Sequence, residues 1–293
     1  MKAATHSGTF HADDAFAFAI LAAATGGAVE LARSRDAAVL AAADVVFDVG
    51  GIFDPATGRY DHHMRDKPLR APGEPFSSAG LVWRDFGADA VRALVPAASP
   101  EAAARIAAMV DRTLIRDVDL MDNGAMTPVP GHFSSVLESF NPTFAEDGPD
   151  EDTAFRRASD LAGLVLARAC AHAHAAVLAE ATVAEAAART DDPRVIVLET
   201  RVPWEDAVFA LGLEAALYVV RPAGDAWTCS AIPPDRGSFD QRRPLPDEWA
   251  GLRDDALAAV TGVADATFCH PARFVCGARS REGAVALARL AAG

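Results

Sequence analysis

The first fifty residues alternate short aliphatic runs with Ala-rich stretches of helical spacing, and that alternation leaves few folds open. "MKAAT" reads as a strand. "HADDAFAFAILAAATG" repeats its apolar residues at helical intervals and ends in glycines suited to a C-cap. "VELARSR" reads as a second strand, "DAAVLAAA" as a short helix, and "DVVFDVGG" as a buried strand entering a glycine turn. Strand, helix, strand in this order predicts parallel pairing through right-handed crossovers, and so an α/β fold.

Farther along, "SPEAAARIAAMVDRTLIRDVDLMDNG" predicts one long helix, with Ser99 as its N-cap and Pro100 at its first position. A polar loop from Asn141 to Asp152 precedes an amphipathic helix that reaches Arg189. Beyond Asp192, "RVIVLET", "ALYVVRP" and "WTCSAIP" are β-like, and "REGAVALARLAAG" ends the chain as a helix. The expected organisation is two lobes. Residues 1–150 hold a mainly parallel sheet flanked by helices, and residues 151–293 hold a linker helix and a smaller α/β lobe.

Composition narrows the function. No uninterrupted apolar run reaches the roughly 18 residues of a membrane span, so no membrane partner is expected. The N-terminus turns polar at once, and the four cysteines lack CxxC spacing, which suits a reducing cytoplasm. A net charge of -14 argues against broad adhesion to nucleic acid, whose binding is dominated by phosphate neutralisation. It leaves room for an enzyme that meets a phosphodiester in a metal-lined pocket, because bound cations reverse the local field.

The chemistry-bearing residues fall where α/β sheets present function, at strand ends and the loops that follow. A short strand delivers His6, His11, Asp13 and Asp14 at a strand-to-helix turn; Asp48 ends "VVFDVGG"; "FDPATGRY", read as a hairpin turn, leads into Asp61, His62 and His63; and "DVDLMDNG" sets Asp117, Asp119 and Asp122 at a helix end. Any one of these histidines taken singly is more often structural. Jointly they weigh more, since four of the eight histidines lie in the first 63 residues, three of them within two residues of an aspartate. Oxygen and imidazole donors without thiolate suit a borderline divalent ion such as Mn2+ (or Mg2+) better than structural zinc. There are enough of them for two ions sharing a bridging carboxylate and activating a water.

"YDHHMR" after "FDVGGIFDP" resembles the namesake motif of the DHH phosphoesterase superfamily. More narrowly, "HSGTFHADDAFA", "DVGGIFDPATGRYDHH", "FSSAGLVW", "VDLMDNG", "PLPDEWAGLRDDAL" and "FVCGARSREGAVALA" resemble its Myg-one (melanocyte-proliferating-gene protein) branch over nearly the whole chain. The resemblance implies a DHH-type N-terminal lobe and a substrate-gripping C-terminal lobe. It implies divalent-metal-dependent phosphoester hydrolysis, most narrowly by a 3′–5′ exonuclease or oligonucleotidase on RNA or short single strands. His6, His11 and Asp13 would form the first motif, and Asp48 the second, as bridging carboxylate. In the third, Asp61 would bind metal or orient a ligand, His62 would ligate or stand just outside, and His63 would face substrate phosphate. In the fourth, Asp119 and Asp122 remain alternatives, with the Asp-Asn-Gly context favouring Asp122. His270, Gly277, Arg279, Ser280 and Arg281 are the substrate candidates of the second lobe, where the helix capped by Ser280 would attract a phosphate. Arg65 and Arg116 are candidates beside the motifs. Expected partners are an RNA oligonucleotide or other nucleotide phosphoester, with a homodimer allowed. The competing readings are a small-molecule phosphatase or pyrophosphatase and a non-catalytic metal-binding protein.

Overall fold

The opening alternation folds into a parallel sheet with helical crossovers. In the computed structural model, which describes every residue except Pro72, Pro128 and Pro149, β1 (Lys2–Thr5), α1 (Ala12–Ala24), β2 (Glu30–Arg33), α2 (Ala37–Ala41) and β3 (Val45–Phe47) follow one another. A hairpin of β4 (Phe53–Asp54) and β5 (Arg59–Tyr60) completes a five-stranded sheet of order β2-β1-β3-β5-β4. All its pairings are parallel except that of β4 with β5. A separate two-stranded piece, β6 (Leu69–Arg70) with β7 (Glu74–Pro75), leads into α3 (Ser78–Leu94).

The predicted long helix is divided. α4 (Pro100–Val110) passes through a π-helical turn at Asp111–Ile115 into α5 (Arg116–Asp122), with Ser99 Oγ capping α4 at 3.1 Å from Ala102 N. Such a turn re-phases the helix beyond it and occurs often near functional sites. α6 (Phe133–Glu138) and α7 (Glu151–Arg189) follow. α1 and α3 pack along each other and bury Phe16, Ile20 and Leu21 from one side and Leu81, Val82 and Trp83 from the other. Each such side chain contributes about 1.5–3 kcal/mol when fully buried.

Two compact units result, Met1–His174 and Ala175–Gly293, with α7 running from one into the other. By length and composition α7 also holds a stretch apolar enough to cross a membrane, 17% of it buried. The expectation that no such segment exists counted only uninterrupted apolar runs, which the charged and histidine residues of this helix break.

The second unit contains β8 (Val195–Val197), α8 (Glu205–Ala210), β9 (Tyr218–Ala223), β10 (Ala226–Ala231), α9 (Asp254–Thr261), β11 (Ala266–Cys269), β12 (Val275–Ala278) and α10 (Arg281–Ala292). Its sheet has the order β11-β12-β10-β9-β8, antiparallel except for β8 with β9. α10 lays Ala284, Leu287 and Ala288 against Tyr218, Val220, Cys229 and Cys276 on one face. Trp204, Ala207 and Val208 cover Ile196 and Val219 on the other.

Two glycines test this packing in opposite directions. A Cβ added at Gly80 of α3 would lie 2.0 Å from Asp119 Oδ2, whereas one at Gly163 of α7 would meet nothing nearer than Ala19 Cβ at 4.0 Å. Gly80→Ala is expected to destabilise by about 1–3 kcal/mol through overpacking. Gly163→Ala is expected to stabilise by about 0.5–1 kcal/mol through helix propensity. Thermal melts of the two variants should move in opposite senses.

Candidate metal centre

Strand register sets the first residues of the site in a line. β1 and β3 pair with Ala4 opposite Val46, and β3 and β5 pair with Phe47 opposite Tyr60. Carried past the strand ends, the same register brings His6 beside Asp48 and Asp48 beside Asp61. These are the carboxyl ends of neighbouring parallel strands, at the point where the chain reverses its order across β1, the usual ligand position in open α/β sheets. Asp48 adopts φ 57°, left-handed for a residue with a Cβ, and Gly50 and Gly51 also take positive φ. Such a conformation costs on the order of 1–3 kcal/mol and clusters at functional sites.

Asp48 turns its two oxygens to different imidazoles. Its Oδ2 lies 3.2 Å from His6 Nε2, and its Oδ1 lies 3.2 Å from His62 Nε2. His62 Nε2 is also 3.4 Å from Asp122 Oδ2 and 3.8 Å from Asp13 Oδ2. His6 Nε2 is 3.1 Å from Asp14 Oδ2. His6, His11 and Asp48 form one group able to offer three donor atoms to a single ion; His11, Asp13 and Asp122 form a second; Asp48, His62 and His63 form a third. All but His11 and His63 are largely withdrawn from solvent.

The donor set fits divalent cations. His62 Nε2, Asp13 Oδ1 and Asp14 Oδ2 are buried without a well-aligned hydrogen bond, although two of them have a neighbour within 3.2 Å. Donors about 2.1 Å from a shared ion stand about 3.0–3.5 Å apart, which is the spacing found here. Charge points the same way. Burial, then the charges of Asp48, Asp122 and Asp14, hold the Asp13 carboxyl well above its usual range. Burial raises Asp14 and Asp122 as well. Burial disfavours the His6 cation, but Asp14 and Asp48 outweigh it and push its pKa up to about 10. Protons are thus drawn to a cage of crowded carboxylates, and bound divalent cations would answer the same imbalance.

Other residues hold this cage in place. Ser78, at the start of α3, donates its N–H to Asp13 Oδ2 at 3.2 Å and its hydroxyl to Asp48 Oδ1 at 3.2 Å. Asp61 Oδ1 accepts from the amides of His62 and His63 and from His63 Nδ1 at 2.7, 3.0 and 2.8 Å, and its Oδ2 accepts from Gly51 N. Both oxygens accept from protein donors, so Asp61 orients the histidines, and it is in none of the three donor groups able to share an ion.

Asp119 is a correction to the expected ligand list. Its Oδ1 accepts from Ser77 N, Ser77 Oγ and Gly80 N at 3.1, 2.6 and 2.9 Å, while Oδ2 pairs with Arg70. It caps α3 and ties it to α5, and Asp122, one turn on, faces the cluster. Burial lifts the Asp119 pKa to about 6, with Arg70 and Ser77 resisting.

Three residues take roles at the site that the sequence did not assign them. Asp14 accepts from His11 N at 3.1 Å, a helix-capping contact that its place in the first turn of α1 announces, but its approach to His6 is visible only in three dimensions. Ser78 enters the site through its place at the start of α3, where its amide and hydroxyl meet Asp13 and Asp48. Lys67 donates to Asn123 Oδ1, beside Asp122, while Asn123 Nδ2 is spent on the carbonyls of Phe76 and Asp119.

The expected substrate residues are exposed or are engaged with other parts of the protein. Arg65 is exposed, and Arg116 pairs with Glu74. Arg281 pairs with Glu199 at 2.9 Å, and His270 Nδ1 accepts from Ala272 N at 3.0 Å. Gly277 lies within β12, and Arg279 is exposed beyond it. Ser280 does cap α10, accepting from Gly283 N at 3.0 Å. The anion at that helix start is Asp265, which accepts from Ser280 N at 2.7 Å, so the phosphate expected there meets a carboxylate.

A family model described as "Uncharacterised protein family (UPF0160)", that of the MYG1 exonucleases, matches residues 2–292. The chain belongs to the MYG1 exonuclease family. It is 34% identical to the human (Homo sapiens) MYG1 exonuclease over 97% of this chain and 84% of that protein. It is 32% identical to a MYG1 protein of Schizosaccharomyces pombe over 99% of this chain and 97% of that one. Among solved structures, RecJ of Thermus thermophilus in complex with Mn2+ aligns with 99% of this chain at 16% identity and a TM-score of 0.30. This chain spans about half of that RecJ chain, 52%, and the superposition is too loose to argue from.

Manganese titration followed by thermal melting should separate the two aspartates of α5. Mn2+ at 100 times its dissociation constant should stabilise the wild type by about 2.7 kcal/mol. Asp122→Asn should lose most of that gain. Asp119→Asn should melt lower yet keep the response to the ion.

Proposed function

We propose that this MYG1-family protein is an exonuclease or oligonucleotidase that hydrolyses RNA or short single strands in the 3′–5′ direction, with two Mn2+ or Mg2+ ions as cofactors. At the coarser level it is a metal-dependent hydrolase of the nuclease and phosphoesterase class. The finer reading rests on one observation: the Asp48 carboxylate divides its oxygens between His6 and His62 at equal distance. In this reading His6, His11 and Asp48 hold one ion, and Asp13, Asp48, His62 and Asp122 hold the other. Imidazole and carboxylate in near-equal number favour manganese. The 3′–5′ direction and the RNA substrate follow the family resemblance.

Bound there, the ions supply an acidified water and a positive field for the phosphoryl oxygens. The chain's own residues do the rest. Ser78 holds Asp13 and Asp48 at fixed separation through its amide and hydroxyl. Asp61 accepts from His63 Nδ1 and so keeps that nitrogen protonated, leaving Nε2 of an exposed ring facing solvent. As the imidazolium, protonated on both nitrogens, His63 can donate from Nε2 to a phosphoryl oxygen and pass that proton to the departing sugar oxygen. The net charge of -14 suits short substrates that enter a pocket over long duplexes.

Short RNA labelled at either end, incubated with Mn2+ beside pyrophosphate in a parallel reaction, tests the reading. The 3′ label should leave as mononucleotide while the 5′-labelled strand shortens stepwise. His63→Ala should slow turnover by about 10²-fold or more, within the usual range for a positioned proton donor. Phosphate release from pyrophosphate with the RNA intact would replace this reading with the small-molecule one. Metal-dependent stabilisation without turnover of either would leave a binding protein.

A further inference from the structure

In the second unit the two faces of the sheet are unlike. Directly opposed residues of antiparallel strands point to the same face, so register sorts side chains into rows. One row is Val220, Cys229, Cys276 and Cys269, each at most 2% exposed, in the cluster that α10 covers. The adjoining row, on the opposite face, runs Arg221, Thr228, Gly277 and Phe268, and through an isolated bridge reaches Arg253. Two arginines therefore bracket a hydroxyl, a bare backbone and an aromatic ring.

Gly277 sets the posture of that ring. A Cβ there would lie 2.6 Å from a Phe268 ring carbon, so the ring rests against the glycine backbone. A register irregularity between Ala266 and Phe268 brings Thr267 to the same spot, with Oγ1 3.0 Å from the same point. Bulges of this kind re-aim side chains next to functional sites. Phe268 is half-buried and stands in neither hydrophobic cluster of the unit. Covering a strand glycine with an aromatic ring is ordinary sheet architecture. It does not account for an arginine at each end.

Both arginines are short of partners. Arg221 Nε is buried without a hydrogen bond; burial and the nearby Arg201 act against its cation, and Glu205 only partly offsets them. Among the described residues the Arg253 side chain makes no ion pair or hydrogen bond, and it is exposed.

We propose that this row is a platform for single-stranded nucleic acid, on which a base stacks on Phe268 and flanking phosphates pair with Arg221 and Arg253. The proposal rests on the phosphoesterase reading and adds where the substrate's bases would be held. Thr228 offers its hydroxyl to a base edge or sugar. With strands about 4.8 Å apart, the row spans about 19 Å from arginine to arginine, the reach of a few nucleotides. Stacking accepts every base, as an enzyme that shortens chains of any sequence requires.

Fluorescence anisotropy of a short labelled oligoribonucleotide, titrated with the full chain in EDTA, reads this platform without turnover. Phe268→Ala should weaken binding by about 5- to 150-fold, the range for one stacked base, and Phe268→Trp should retain it. Arg253→Gln, at an exposed side chain that supports no packing, should weaken binding and lower the salt slope by about one. Equal affinity of the wild type, Phe268→Ala and Arg253→Gln would overturn the platform, as would no binding by the wild type. Failure of the wild type to cleave RNA with Mn2+, while these binding differences hold, would count against the hydrolytic reading alone.

Discussion

The structure depends on one carboxylate held in an unfavourable place. Asp48 stands at the end of a buried strand in a left-handed conformation, with each oxygen against a different imidazole. Removing a carboxylate from water costs several kcal/mol unless charge and hydrogen bonds compensate it. Here His6, His62 and the Ser78 hydroxyl compensate it, and the two histidines draw its pKa below the usual range despite burial. Asp13, Asp14 and Asp122, crowded around the same histidines, have no such sufficiency. The cage is therefore built for more positive charge than its own side chains carry.

Rigidity around that cage comes from a second layer of buried polar contacts. Asp119 joins the start of α3 to α5, so Ser78 on one helix and Asp122 on the other keep a fixed relation. Arg70 closes this layer by pairing with both Asp119 and Asp111 while lying over the Phe76 ring at 4.2 Å. Gly80 has no side chain because Asp119 occupies the space. Breaking a buried pair of this kind by removing one partner costs about 3–5 kcal/mol. Ligand geometry is thus paid for by the helix cap, and a fault in the cap would reach the ligands without touching them.

Much of this was legible in the sequence, for identifiable reasons. Alternating strands and helices imply parallel pairing, and parallel strand ends are where His6, Asp48 and His62 had to converge. The choice between Asp119 and Asp122 was legible only as a preference for Asp122 from its Asp-Asn-Gly context. The two lie one turn apart on a helix that a π turn re-phases, and only the tertiary partners of Asp119 separate them. The α10 start misled for a similar reason: Ser280 announces a cap, but nothing near it in the chain announces Asp265. The row around Phe268 escaped notice because β11 and β12 are four residues each, one carrying a glycine and the other an irregular register, so neither alternates cleanly.

The central claim is that Asp48 is shared by two ions. Anomalous X-ray scattering at the manganese edge, from crystals grown with Mn2+, tests it most directly. The account predicts two peaks about 3.5–4 Å apart, one on each side of the Asp48 carboxylate. A single peak remote from Asp48, or none among His6, Asp13, His62 and Asp122, would contradict it.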